Sequence, residues 1–111
     1  MENKKYEIIW SPKAYRNIQK IYAFTLEKLG NEHYAIKIVK KILKAINSLR
    51  LFPFMYPKIY IDRKFKRQLR RATVGKYAVI YEVKNNKILI LYIFHENQNY
   101  SNLLLNQENL N

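Results

Sequence analysis

The sequence predicts an α+β fold in which an N-terminal strand and an α-helical hairpin pack on a small, mainly antiparallel β-sheet. Three features predict this fold: a helix-start signal at Ser11-Pro12, a helix stop at Gly30, and two segments with strand periodicity, Tyr77–Val83 and Ile88–His95. A chain of 111 residues has room for one hydrophobic core. We therefore expect a single domain over residues 1–111, with its core at about 6–95.

The first third of the sequence predicts a strand followed by a helix. Tyr6–Trp10 is short, β-branched and aromatic, which is typical of a strand. Ser11 is a favoured N-cap, and Pro12 fits the first helical position because its missing N–H has no helical partner there. Helix 1 is predicted to run from Pro12 to about Leu29, where Gly30 can adopt the left-handed stop. Its apolar residues at spacings of three and four predict one buried stripe, formed by Tyr15, Ile18, Tyr22, Leu26 and Leu29.

A second helix is predicted from a cap at Asn31 to about Leu51. Its predicted buried face consists of Ala35, Ile38, Val39, Ile42, Ile46 and Leu49, and lysines occupy the outer face. Because the joint between the helices has only two residues, the two helices must lie antiparallel. Pro53 and Pro57 end the second helix and predict a rigid, aromatic connection.

The remaining sequence from Lys64 predicts strands joined by tight turns. Gly75-Lys76 interrupts the strand pattern, and Asn85-Asn86 is a suitable hairpin turn because asparagine tolerates positive φ. Ile88–His95 is apolar on both faces, so we expect a central strand. This order of elements leaves the opposite sheet face and the end of the last strand free for function. The polar tail, residues 96–111, is expected to be frayed or to depend on a partner.

A basic block is the most prominent charged feature of the chain. Six of the nine residues from 63 to 71 are basic, none is acidic, and the formal net charge of the chain is +13. Such a block on a rigid sheet predicts binding to a polyanion or an acidic protein. The alternative is a solvated edge in a lysine-rich chain. The predicted target-binding residues are Arg63, Lys64, Lys66, Arg67, Arg70, Arg71 and Lys76.

Several classes of site and location are disfavoured by the sequence. The chain has no cysteine, and its two histidines, His33 and His95, are far apart, so we expect no metal site and no cofactor. His33 is expected to be a solvated turn residue without a role. The N-terminus lacks the apolar segment of a signal peptide, and the longest apolar run is far shorter than the ~20 residues needed to span a bilayer. We therefore expect a cytoplasmic protein with no membrane partner.

Four segments, in this order, resemble the RelE/ParE superfamily of toxins from bacterial type II toxin–antitoxin systems. They are Trp10–Ala14, Ile46–Pro53, Arg70–Val83 and Ile88–His95, and the resemblance extends over about residues 6 to 100. The resemblance implies a toxin that inhibits bacterial growth and that is bound by an acidic cognate antitoxin.

Within the superfamily, the two long helices and the Leu-x-x-Phe-Pro ending at Leu49 look more like the ParE branch, whose members poison DNA gyrase. The RelE branch cleaves mRNA on the ribosome. Two of its arginine positions fall at Ala78 and Gln98, and its paired lysine positions fall at Leu69 and Arg71, or at Arg70 after a one-residue gap. The resemblance thus implies inhibition of DNA gyrase. A ribosome-dependent mRNA endoribonuclease and a non-toxic nucleic-acid-binding module are the alternatives.

His95 is the residue on which the ribonuclease alternative depends. Related ribonuclease toxins carry a histidine at the end of the last strand. RNA cleavage needs a base, an acid and cations that stabilise the phosphorane. His95 is a candidate acid or base, Arg70 and Arg71 are candidate cations, and Tyr100 is a candidate for stacking or proton donation. The alternative is structural: by strand parity His95 groups with Leu89, Leu91 and Ile93 and simply caps a packed strand.

Overall fold

The computed structural model describes residues 5–62 and 67–97 and confirms the predicted α+β architecture. In the described residues, two helices pack on one five-stranded sheet with the strand order β1-β5-β4-β3-β2. Strand β1 runs parallel to β5, and the other neighbouring strands are antiparallel. The elements are β1 (Glu7–Trp10), α1 (Pro12–Leu29), α2 (Glu32–Ser48), β2 (Lys58–Asp62), β3 (Arg67–Val74), β4 (Tyr77–Lys84) and β5 (Lys87–His95).

The predicted caps and turns are confirmed. The Ser11 Oγ accepts the N–H of Ala14 at 2.9 Å, and Gly30 ends α1 with a φ of 59°. The Asn31 side chain accepts the N–H of Tyr34 at 3.1 Å and starts α2. Asn85 and Asn86 both have positive φ, as the β4–β5 hairpin requires. These local signals therefore fix the order and direction of the elements.

Helix α2 ends at Ser48, three residues earlier than the expected end at Leu51. The N–H groups of Leu51 and Phe52 both donate to the Ser48 carbonyl, at 3.2 and 3.1 Å, so the chain turns instead of continuing as a helix. Pro53 favours the early end because, in a continued helix, it has no N–H to donate to the Leu49 carbonyl and its ring would clash with that carbonyl.

The expected buried stripe of α1 is wrong in part. The face that packs inward contains Ala14, Ile18 and Thr25, all buried. Tyr15 and Leu29 are each 57% exposed. Ala14, Ile18 and Thr25 have the same helical spacing as the predicted stripe, and the small side chains among them permit closer packing than tyrosine would. The face of α2 is as predicted, with Ala35, Ile42, Ile46 and Leu49 buried.

The sheet is buried on both faces, so the expectation of a free opposite face is wrong. On the helix side, Ile42, Ile46 and Leu49 pack with Val79 and Tyr81. On the opposite side, a second apolar cluster is buried: Leu69, Ala78, Ile80, Tyr92 and Phe94. Strands β4 and β5 are apolar on both faces, and such strands are stable only when both faces are covered.

A β-bulge in β5 changes which side chains face the helices. Ile80 pairs with Tyr92 and Tyr81 pairs with Ile90, so Leu91 is an extra residue. Before the bulge Ile88 and Ile90 face the helices, and after it Ile93 does. The expected grouping of His95 with Leu89 and Leu91 is therefore wrong, because the extra residue reverses the parity.

Helix α1 completes the hydrogen bonding of β5 beyond the end of β1. The Ser11 backbone N–H donates to the Ile90 carbonyl at 2.9 Å, and the Ser11 hydroxyl donates to the Leu91 carbonyl at 2.9 Å. Further along, the Asn17 Oδ1 accepts the N–H of Ile93 at 3.0 Å. These bonds fix α1 on the strand that leads to His95.

Tyr81 links the sheet to the connection between α2 and β2, residues 49–57. Its hydroxyl donates to the Pro53 carbonyl at 2.8 Å in a buried setting, and burial raises the pKa of Tyr81 to about 12. We predict that Tyr81→Phe lowers the free energy of unfolding at pH 7 by about 1–2 kcal/mol, because a buried carbonyl loses its donor.

The same tyrosine predicts a pH dependence. Because the folded pKa lies above the ordinary value of 10.0, its contribution is complete below pH 10 and is lost as the pH rises through 12. The unfolding free energies of the wild type and Tyr81→Phe should therefore converge between pH 10 and 12 in denaturant titrations. If the difference in unfolding free energy between the two proteins stays constant across this pH range, the Tyr81 hydroxyl is not buried as described.

Candidate functional site

The described part of the basic block lies on both faces of β3. Arg70 pairs with Tyr81 and faces the helices, whereas Arg71 pairs with Ile80 and faces the opposite side, as Arg67 does. Lys76 is exposed in the β3–β4 turn. Arg63, Lys64 and Lys66 lie outside the described residues. The arginines of β3 therefore do not form one continuous patch.

Arg70 binds the backbone of the α2–β2 connection. Its Nη1 donates to the Tyr56 carbonyl at 2.6 Å and contacts the Phe54 carbonyl at 3.5 Å. Its guanidinium also lies over the Phe54 ring, 5.1 Å from the ring centroid. Together with the Tyr81 hydroxyl, this side chain holds the connection against the sheet.

Arg67 and Arg71 lie on the opposite face of the sheet. The Arg71 guanidinium lies over the Phe94 ring, 5.8 Å from its centroid. The Arg67 Nε is 3.6 Å from the Glu82 Oε1, and the Arg67 side chain is 39% exposed. At this exposure such an ion pair contributes little to stability. These two arginines therefore contribute positive charge to this face.

His95 lies on the helix side, at the end of β5. Its ring meets the Tyr77 ring edge-on with a centroid distance of 5.3 Å, and its Nδ1 accepts the N–H of Asn97 at 3.2 Å. A ring nitrogen that accepts a hydrogen bond carries no proton, so Nδ1 acts as the acceptor in this arrangement. Tyr100 lies outside the described residues.

The structure does not bring the described catalytic candidates together. Arg70 lies opposite Tyr81, four residues along β4 from Tyr77, the pairing partner of His95. At about 3.3 Å per residue this separates Arg70 from His95 by about 13 Å along the sheet. Arg71 lies on the other face. No single phosphate can contact His95, Arg70 and Arg71 in this arrangement.

A groove surrounds His95, and we call it the end groove. Two adjoining depressions of about 410 and 580 Å³ share the side chains of Phe24, Tyr77 and His95. Apolar residues of both helices line it, and among the described residues no acidic side chain does. The lysines that line it are Lys20, Lys28, Lys41 and Lys76. The end groove therefore suits an acidic segment with an apolar face.

Sequence reasoning did not single out Phe24 and Tyr34 as components of this groove. Both are large and exposed, at 59% and 45%. The sequence did contain a signal for them. Each is an aromatic residue outside the buried face of its amphipathic helix, and the two lie on either side of the turn that joins α1 to α2. Such residues are exposed at an energetic cost unless a partner covers them.

The described residues contain no cluster of three metal-ligating side chains. His33 is exposed in the first turn of α2, as expected of a solvated residue. No helix among the described residues has the length and apolar character that a membrane span requires.

Comparison with known proteins identifies the family. The model of the ParE toxin of the type II toxin–antitoxin system parDE matches residues 8–100. The chain belongs to the ParE toxin family. A search of curated proteins found no match.

Two solved toxin–antitoxin systems share the fold. The chromosomal ParDE system of P. aeruginosa superposes with a TM-score of 0.68 at 20% identity, covering 83% of this chain and 97% of that one. The RelBE2 complex of Mycobacterium tuberculosis superposes with a TM-score of 0.57 at 15% identity, covering 85% of this chain and 94% of that one. The ParE-family chain thus shares its architecture with toxins of both branches.

Arg70 provides a test of the structural role described above. We predict that Arg70→Ala lowers the free energy of unfolding by about 2 kcal/mol, because two backbone carbonyls lose a charged donor. Arg16→Ala, which removes an exposed arginine from α1, should change it by no more than about 0.5 kcal/mol. Urea titrations of both variants provide the measurement. If Arg70→Ala is as stable as the Arg16→Ala control, Arg70 does not hold the α2–β2 connection against the sheet.

Proposed function

We propose that this ParE-family toxin inhibits growth by binding DNA gyrase and performs no ribonuclease chemistry of its own. The separation of Arg70 and Arg71 onto opposite faces of β3 is the observation that carries the proposal. RNA cleavage needs an acid, a base and cations around one phosphate. The match to the ParE toxin family supports the same choice. A target of this kind requires a cytoplasmic protein.

Arg70 further supports a binding role over a catalytic one. Its Nη1 and its ring-stacked guanidinium are committed to the α2–β2 connection, so it is a structural cation. We propose that Arg67, Arg71 and Lys76 contact the target. Arg63, Lys64 and Lys66 remain proposed target contacts on the basis of sequence.

A ribosome-dependent endoribonuclease is the second candidate, and one observation favours it. His95 lies beside Tyr77 in a groove that also contains Lys20 and Lys76. A histidine, a phenol and ammonium groups are chemically able to act on a phosphodiester. The Nδ1 of His95, however, accepts a backbone N–H from Asn97, so Nδ1 cannot take up a proton while this hydrogen bond is kept.

We also propose that an acidic cognate antitoxin occupies the end groove. The groove combines apolar walls with lysines and no described acidic side chain. An amphipathic acidic segment fits this combination because its apolar side chains fill the groove while its carboxylates meet the lysines. The net charge of +13 favours rapid association with such a partner.

His95→Ala distinguishes the two candidate functions. If the protein acts by binding gyrase, His95→Ala should retain growth inhibition within about threefold of the wild type, because no proton transfer is needed. If the protein is a ribonuclease, the growth-inhibiting activity of the variant should fall by about 100-fold or more. Growth curves at matched intracellular toxin levels provide the measurement. If the variant remains toxic, it should also inhibit DNA supercoiling by purified gyrase as strongly as the wild-type protein does.

The antitoxin proposal predicts a site-specific effect of charge reversal. Lys28→Glu together with Lys76→Glu should weaken antitoxin binding by about 100-fold, because two charge-assisted contacts become repulsive. Lys37→Glu together with Lys40→Glu makes the same change in net charge on the exposed outer face of α2. Titration calorimetry should show that this control loses little affinity for the antitoxin. Equal losses in both variants would mean that net charge alone guides binding and that the groove is not the site.

A further inference from the structure

The α2–β2 connection exposes a dense group of large apolar side chains. Leu51, Phe52, Phe54 and Met55 are each between 51% and 58% exposed. They lie within five consecutive positions of a short connection, two before Pro53 and two between Pro53 and Pro57. Single exposed apolar residues are common on proteins, but four within five positions form a patch that is unfavourable in water unless a partner covers it.

The backbone beneath this patch is held rigidly. Tyr81 donates to the Pro53 carbonyl at 2.8 Å, and Arg70 donates to the Tyr56 carbonyl at 2.6 Å. Phe54 is held between the Arg70 guanidinium and the Tyr6 ring, whose centroid is 6.3 Å away. A buried phenol and a charged guanidinium thus serve to present apolar side chains to solvent. Rigid presentation reduces the entropy cost of binding.

The charge around the patch indicates the chemistry of its partner. Residues 49–58 contain Arg50 and Lys58, both exposed, and no acidic residue. On β1, Ile8 and Trp10 pack on the helix side, so Glu7 points to the other face of the sheet. The patch is therefore an apolar surface with a basic rim, and its complement is an apolar surface with an acidic rim.

We propose that Leu51, Phe52, Phe54 and Met55 form the surface by which the toxin binds an acidic protein target. The inference rests on the proposed function only in taking the target to be a protein. A toxin that acts by binding derives its whole effect from affinity, and affinity is concentrated in a few buried anchors such as aromatic side chains. The described arginines of β3 supply charge but no such anchor.

Two other occupants fit the patch less well. A second copy of the chain would bring two molecules with a net charge of +13 into contact. Single-stranded nucleic acid would stack on Phe52 and Phe54, but Leu51 and Met55 offer no stacking surface.

The patch is also separate from the end groove. The groove lies at the N-terminal half of α2, where Tyr34 and Ile38 line it, and the patch follows the C-terminal end of the same helix. Ile42, the last residue of α2 that lines the groove, lies six residues before the end of the helix at Ser48, which corresponds to about 9 Å along the helix, and the patch begins beyond that end. Changes in the patch should therefore leave the direct contacts in the groove intact.

The test is the double variant Phe52→Ser and Met55→Ser, with Tyr15→Ser as the matched control. Tyr15 is equally exposed, at 57%, belongs neither to the patch nor to the lining of the end groove, and tyrosine and serine have similar helix propensities. Growth inhibition, affinity for the purified antitoxin, oligomeric state, binding of single-stranded RNA and melting temperature are measured for each variant. Leu51→Ser provides an independent variant of the patch.

The double variant should be at least about 30-fold less toxic, bind antitoxin within about twofold of wild type, and melt within about 5 °C of it. Full toxicity in the folded variant would overturn the proposal. Loss of antitoxin binding with toxicity retained would assign the patch to the antitoxin instead. A wild-type dimer that the variant abolishes, or a loss of single-stranded RNA binding, would also overturn it.

The proposed target is tested separately with purified gyrase and the wild-type toxin. Failure of the toxin to inhibit supercoiling would reject gyrase as the target. The toxicity of the double variant would still decide whether the patch binds a target protein, so the two failures are distinguishable.

Discussion

Strand β3 is hydrogen-bonded on both sides, to β2 and to β4, and this fixes the face of each of its side chains. Consecutive residues cannot share a face in such a strand. Arg70 must therefore point towards the helices, where it meets the α2–β2 connection, and Arg71 must point away from them. The exposed patch depends on the first arginine, and the positive charge of the opposite face depends partly on the second. The structure thus divides a continuous run of basic residues into parts with different roles.

The bulge at Leu91 has the complementary effect on β5. Its extra residue reverses the alternation, so that His95 joins Tyr77 on the helix side. With a regular strand, His95 would lie on the same face as Arg71, nearer to a ribonuclease-like arrangement. The hydrogen bonds from Ser11 to the Ile90 and Leu91 carbonyls fix the helix on the bulged segment. The alternation of side chains along β3 and the bulge in β5 therefore determine which of these side chains lie on the same face of the sheet.

Local signals predicted the order of the elements because caps and turns depend on a few adjacent residues. Ser11, Gly30, Asn31 and the Asn85-Asn86 turn all behave as expected. The inward face of α1 was predicted only in part: Ile18 is buried as expected, but Ala14 and Thr25 pack inward where larger apolar side chains were expected. The bulge depends on how β5 pairs with β4, and the hydrogen bond from Arg70 to the Tyr56 carbonyl joins residues that are far apart in sequence. No local sequence pattern therefore reveals either feature. For the same reason the block at residues 63–71 was read as one surface, although β3 separates its arginines.

The central claim is that this ParE-family toxin acts by binding and not by cleaving RNA. The most direct measurement is a time course after induction of the toxin alone in bacteria, with plasmid supercoiling and mRNA length followed in the same samples. The account predicts that supercoiling changes first, while mRNA remains at full length. Cleavage of mRNA before any change in supercoiling would contradict it and would return His95 to a catalytic role.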